Sequence, residues 1–129
     1  MRRSWRLSSL LLLALLALAA VPAVLAAGNR QIPLRPSNTY PAASGTAQYQ
    51  SQPGQREVQI EIDHIRSLAG QYVNVYLGGS KVGTARVNSR GVAELTRNSE
   101  LAQRVPQVRP GTTVTVQTSH AATVVSGTF

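Results

Sequence analysis

Between Arg56 and Asp63 the chain alternates strictly: Val58, Ile60 and Ile62 fall between Glu57, Gln59, Glu61 and Asp63. Alternation with a period of two places every apolar side chain on one face of a strand and every polar one on the other. The same pattern returns in Tyr72-Val73-Asn74-Val75-Tyr76-Leu77 and in the Thr/Val alternation from Thr112 to Thr118. Gly78-Gly79-Ser80, Asn88-Ser89-Arg90-Gly91 and Pro110-Gly111 separate such runs, and these are turn compositions. Lys81 to Val87, Val92 to Thr96 and Ala122 to Phe129 complete six strands. A seventh, weaker strand is expected around Gly45-Thr46-Ala47-Gln48-Tyr49. Ser99 to Val105 reads as a short helical turn stopped by Pro106.

Short strands with regular turns predict an all-β domain, a small antiparallel β-sandwich of the Ig-like kind with about seven strands. Its expected core is Val58, Ile60, Ile62, Val73, Val75, Leu77, Val87, Leu95, Val114, Val116, Val125 and Phe129. That core is small and mostly aliphatic. The domain is expected near the low end of the roughly 5–15 kcal/mol typical of stable domains.

The first residues have a different character. Met1-Arg2-Arg3-Ser4-Trp5-Arg6 is basic, Leu7 to Ala20 is almost wholly apolar, and small residues follow Pro22. This is the pattern of a secretory signal peptide over residues 1–26, cleaved after Ala26 or after Ala27. The alternative is an uncleaved anchor, since Leu7 to Ala27 reaches the roughly 20 residues that span a bilayer. The expected location is secreted or periplasmic, with membrane contact only if the segment is retained. Residues 27–44 hold Pro33, Pro36 and Pro41 among polar residues, and read as a Pro-rich extended linker or arm. The β-domain then occupies residues 45–129.

Composition narrows the chemistry. The chain has 13 Lys and Arg against 5 Asp and Glu. Arg2, Arg3 and Arg6 leave with the signal, so ten cations remain against five acids, a net of +5. Such a surface suits an acidic partner but does not by itself specify one. There is no Cys, so disulfides, thiolate zinc sites and a thiol nucleophile are excluded.

The stretch from Val73 to Thr84 with its Gly79 and Val82-Gly83-Thr84, then Gly91-x-Ala93-x-Leu95, Val105-Pro106-x-Val108 and Ser126-Gly127-Thr128-Phe129, resembles small secreted bacterial β-sandwich modules of uncharacterised function. The opening, from Leu34 through Ala43-x-x-Thr46-Ala47, is similar to the start of CHRD-type domains, an extracellular module. The resemblance implies fold and compartment and assigns no functional residue.

Candidate chemistry is sparse. His64 follows Glu61 and Asp63, but strand alternation turns it away from both, and a strand-end histidine beside solvated acids is expected. His120 falls at the tip of the last hairpin, without a nucleophile elbow. An enzyme using either histidine is the least favoured reading; no metal and no cofactor are expected. Gly78-Gly79 and Gly91 serve turns, since no helix follows them to hold a phosphate.

The expected ligand-binding residues are Tyr72, Asn74 and Tyr76, which face outward if Val73, Val75 and Leu77 face the core. Glu61 joins them if its strand pairs with theirs. Aromatic rings stack on sugars, and amides and carboxylates bond hydroxyls. The favoured reading is therefore a non-enzymatic exported binding module for an envelope or extracellular polymer, such as a glycan, or for a protein. The alternative is a structural or protein-interaction module acting through an edge strand or the N-terminal arm. Nucleic acid is not expected, because the Tyr pair is placed beside acids rather than among the Arg residues, and export removes the chain from most nucleic acid. The oligomeric state is left open.

Overall fold

The computed structural model describes residues 28–129, so the signal segment expected over 1–26 lies outside the described residues. Eight strands form one antiparallel sheet: β1 Asn29–Pro36, β2 Ser44–Gln52, β3 Gln55–Asp63, β4 Tyr72–Leu77, β5 Ser80–Arg86, β6 Ala93–Asn98, β7 Thr113–Thr118 and β8 Thr123–Thr128. Their order across the sheet is β5-β4-β7-β8-β1-β2-β3-β6. The helical content is two single turns of 3-10 helix, Arg66–Leu68 and Ser99–Leu101. No helix among the described residues is long and apolar enough to cross a membrane.

The sheet curls until its two end strands, β5 and β6, lie side by side without pairing. Both halves turn their apolar faces to one core. All the residues expected in that core are buried except Phe129, which is half-buried and sets its ring edge-on to Tyr49 at 6.3 Å between centroids. Ile65 and Leu68 close the end of the core beyond β3, and Val105 and Val108 are buried in the long connection beyond β6. The Gly78-Gly79 turn has φ of +56° and +84°. Two successive positive values are what a tight hairpin turn demands and what only glycine adopts freely. The helical turn expected over 99–105 is confined to Ser99–Leu101: Asn98 accepts a bond from the Glu100 amide at 2.9 Å, and Ala102 ends the turn at φ +58°.

The linker expected over 27–44 is a correction. Residues 29–36 are a strand inside the sheet, paired with β2 through Asn29–Leu34 and with β8 through Arg35 and Pro36. Its prolines disguise it. The Pro33 carbonyl lies 3.0 Å from where a Cβ on Gly127 of β8 would stand. The N and C=O of an extended residue point the same way, so Pro33 turns its missing N–H away from β2 and no rung of that ladder is lost. Ile32 and Leu34 supply the inward face. The arm is therefore not free to serve a partner as a loose segment.

Arg97 ties the seam between β5 and β6. It occupies an inward-parity position after Ala93 and Leu95, yet its guanidinium crosses to β5, where Nε donates to the Val82 carbonyl at 3.2 Å. Nη1 donates to the Thr96 carbonyl at 3.1 Å. The register of β4 against β5 shifts at this place, from Val75 opposite Gly83 to Tyr76 opposite Lys81, leaving Val82 as a bulge. Gly83 lets the guanidinium approach, because a Cβ there would lie 2.7 Å from Arg97 Nη2. A charge held at the edge in this way also blunts two strands that would otherwise recruit another chain.

Arg97→Met keeps the aliphatic stem and removes the charged donor. It should lower the stability to urea unfolding by about 1.5–3 kcal/mol, the usual worth of a hydrogen bond from a charged group. Gly83→Ala should cost a similar amount alone and little more in the Arg97→Met background, because both changes break the same contact. Additive losses would show that the seam does not depend on it.

Candidate functional site

The outer face of the β5-β4-β7-β8 half carries three of the expected residues. Val73, Val75 and Leu77 of β4 are buried, which turns Tyr72, Asn74 and Tyr76 outward. Tyr72 is 54% exposed, whereas Asn74 and Tyr76 are half-buried. The register fixes their neighbours. Tyr72 stands opposite Arg86, Asn74 between Thr84 and Gln117, and Tyr76 between Lys81 and Thr115. Thr84 Oγ1 donates to Asn74 Oδ1 at 2.9 Å. That contact anchors one end of the amide and leaves the other end to bond elsewhere.

One level of this face continues across five strands. Lys81 opposes Tyr76, Tyr76 opposes Thr115, Thr115 opposes Ser126, and Ser126 opposes Arg35 of β1. Neighbouring strands are about 4.8 Å apart, so the four steps from Lys81 to Arg35 cover about 19 Å. Lys81, Arg86 and Arg35 are all exposed. A shallow groove lined by Arg35, Thr113, Thr115, Ser126 and Thr128 follows the β7–β8 part of the face.

Glu61 is not part of it. Strand β3 pairs with β2 and β6, not with β4, so the joint face of Tyr rings and carboxylates does not form. Glu61 stands on the outer face of the other half, directly opposite Glu94 and two residues from Asp63. The charge of Asp63 is the largest influence raising the Glu61 carboxyl above its ordinary value; partial desolvation, a hydrogen bond with Asp63 and the nearby Glu94 raise it further. Glu57 lies on the same face, where Gln59 and Asn98 donate to its carboxylate at 3.1 Å each. Four of the chain's five acids thus share one outer face.

The expected environment of the Tyr pair is corrected with it. Its cross-strand neighbours are Arg86 and Lys81, not acids. Tyr76 opposite Lys81 follows from the two-residue Gly78-Gly79 turn, whereas Tyr72 opposite Arg86 depends on the bulge at Val82. Thr115 and Ser126 are visible as outward residues of alternating strands. Arg35 is hidden, because its strand reads as a linker.

The histidines lie apart from this face. His64, at φ +60°, ends β3 and places Nδ1 3.3 Å from Ser44 Oγ; His120 sits in the β7–β8 turn with Nδ1 3.3 Å from Ser119 Oγ. Both contacts are long and exposed. Among the described residues no three His, Asp or Glu side chains gather closely enough to share a metal ion.

Compared with known proteins, the chain matches no family model and no curated sequence.

Crowding of like charges on Glu61 has a pH signature. A carboxyl whose folded-state value is raised binds its proton more tightly when folded, so stability falls as pH rises through its titration. Glu61→Gln should therefore raise the melting temperature at neutral pH. The difference from the parent should vanish in acid, below the ordinary carboxylate range, where Glu61 is protonated in both states. A constant difference at every pH would mean that packing, not charge, is what changed.

Proposed function

We propose that this chain is an exported, non-enzymatic binding module of the cell envelope or extracellular space, and that it holds a polymer, a glycan, on the outer face of β5-β4-β7-β8. Export is read from the basic and then apolar pattern of the first 27 residues. The scaffold is read as a flattened sandwich, in keeping with the resemblance to secreted CHRD-like modules. In that reading the two outer faces point in opposite directions and can differ in chemistry.

One observation carries the functional reading. Two outward Tyr rings on β4 stand in a surface otherwise made of an amide, hydroxyls and cations. A Tyr ring offers an apolar face to the C–H surface of a sugar, with a polar hydroxyl at its edge. Asn74, Gln117, Thr84 and Thr115 stand outward beside the rings and offer donors and acceptors to a chain lying on the strand tops. Both rings stand on one strand paired on both sides, and a Tyr side chain has only two χ angles to order on binding.

The test is retention of the full-length protein on isolated cell-wall polysaccharide. The parent should be retained, and Tyr72→Ala/Tyr76→Ala should elute at least about tenfold more readily, the loss of roughly 1.4 kcal/mol or more. Equal retention of parent and double mutant would remove β4 as the site.

A further inference from the structure

The two outer faces differ in charge. Glu57, Glu61, Asp63 and Glu94 project from the β2-β3-β6 side, where alternation places no Lys or Arg outward. The β5-β4-β7-β8 face, with Arg35 at its β1 margin, contains no Asp or Glu. A polyanion approaching the domain is therefore attracted to one face and repelled by the other.

We propose that the Tyr face binds a carboxylate-bearing polysaccharide, laid across the strands along the row Lys81–Tyr76–Thr115–Ser126–Arg35. The proposal rests on the glycan-binding reading above and names the class of glycan. Three features select it. The cations are dispersed: Lys81 and Arg35 end the row about 19 Å apart as measured along the sheet, and Arg86 stands at another level beside Tyr72. No two converge on one point, as they would for a compact anion with several charges, whereas an extended chain with a charge on separate sugars meets them one at a time. The middle of the row is uncharged and offers a ring and two hydroxyls, which suits the sugar hydroxyls and C–H faces between charges. Arginine presents a planar fork that matches a carboxylate with two parallel hydrogen bonds. A second copy of this chain could present its acidic face to the same surface, and such a head-to-tail contact would propagate into a filament. It would leave the ring-and-hydroxyl centre of the row without a specific use.

Titration calorimetry of the full-length protein against polygalacturonate and against its fully methyl-esterified form tests this, since the backbone is shared and only the charge differs. The acid form is expected to bind at least about tenfold more tightly, an advantage lost near 1 M salt, where the screening length falls to about 3 Å. Lys81→Gln/Arg35→Gln should weaken the acid form at least about tenfold and the ester by much less. Glu61→Gln/Glu94→Gln, on the opposite face, should change neither. Equal affinity for both polymers, or binding of neither, would overturn the carboxylate specificity; the glycan reading itself stands or falls on the retention test above. An equal loss in Arg104→Gln/Arg109→Gln, two exposed cations outside the face, would reduce the effect to overall charge and overturn the proposal. Tighter binding of single-stranded DNA than of polygalacturonate would also overturn it. So would self-association in sedimentation velocity that Arg35→Gln abolishes, with no polysaccharide bound.

Discussion

Strand β1 divides its hydrogen bonds between two neighbours, and the shared core exists because it does. Asn29 to Leu34 bond to β2, and Arg35 and Pro36 bond to β8. Without that division the chain would hold two four-stranded sheets, each with an open edge. With it, one sheet curls around Ile60, Ile62, Val75, Val116 and their neighbours until its ends meet. Leu34, near the crossover, is buried against both sides, with its methyls close to Gly45 of β2 and Gly127 of β8. Gly127 gives the leucine room, whereas a Cβ on Gly45 would run first into the Glu61 carbonyl of β3.

Closure creates the second requirement, a seam that must neither gape nor recruit a stranger. Where β5 and β6 lack a backbone ladder, a side chain links them. Arg97 bonds across to the bulged Val82, and Gly83 admits it. The Gly78-Gly79 turn sets Tyr76 opposite Lys81, and the same bulge then sets the pairs beyond it, bringing Thr84 opposite Asn74 and Arg86 opposite Tyr72. The bond that closes the fold and the composition of the proposed binding face thus share one local irregularity.

The alternating runs made much of this legible. Val58-Ile60-Ile62 and Val73-Val75-Leu77 predict strands and inward faces correctly, because a one-residue error would bury Glu61 or Asn74. The outward direction of Tyr72, Asn74 and Tyr76 follows from the same pattern. Pairing does not. Nothing in Glu57 to Asp63 says whether its strand neighbours β4 or β6, since partner choice is a long-range outcome of closure. Placing Glu61 beside the Tyr rings therefore depended on a pairing that the fold does not make. β1 was hidden for a local reason: two apolar residues, Ile32 and Leu34, among prolines give too short a period to separate a strand from an extended linker. Arg35, at the end of the proposed row, was lost with it.

The central claim is spatial: recognition lies on the outer face of β5-β4-β7-β8 and not on the acidic outer face of β2-β3-β6. The most direct measurement is the change in backbone amide resonances of the full-length protein as polygalacturonate is added. The account predicts shifts confined to β4, β5, β7 and β8 and to Arg35, largest around Tyr76 and Thr115, with Glu61, Glu94 and Thr96 unmoved. Shifts centred on β3 and β6, or none at saturating polymer, would contradict it.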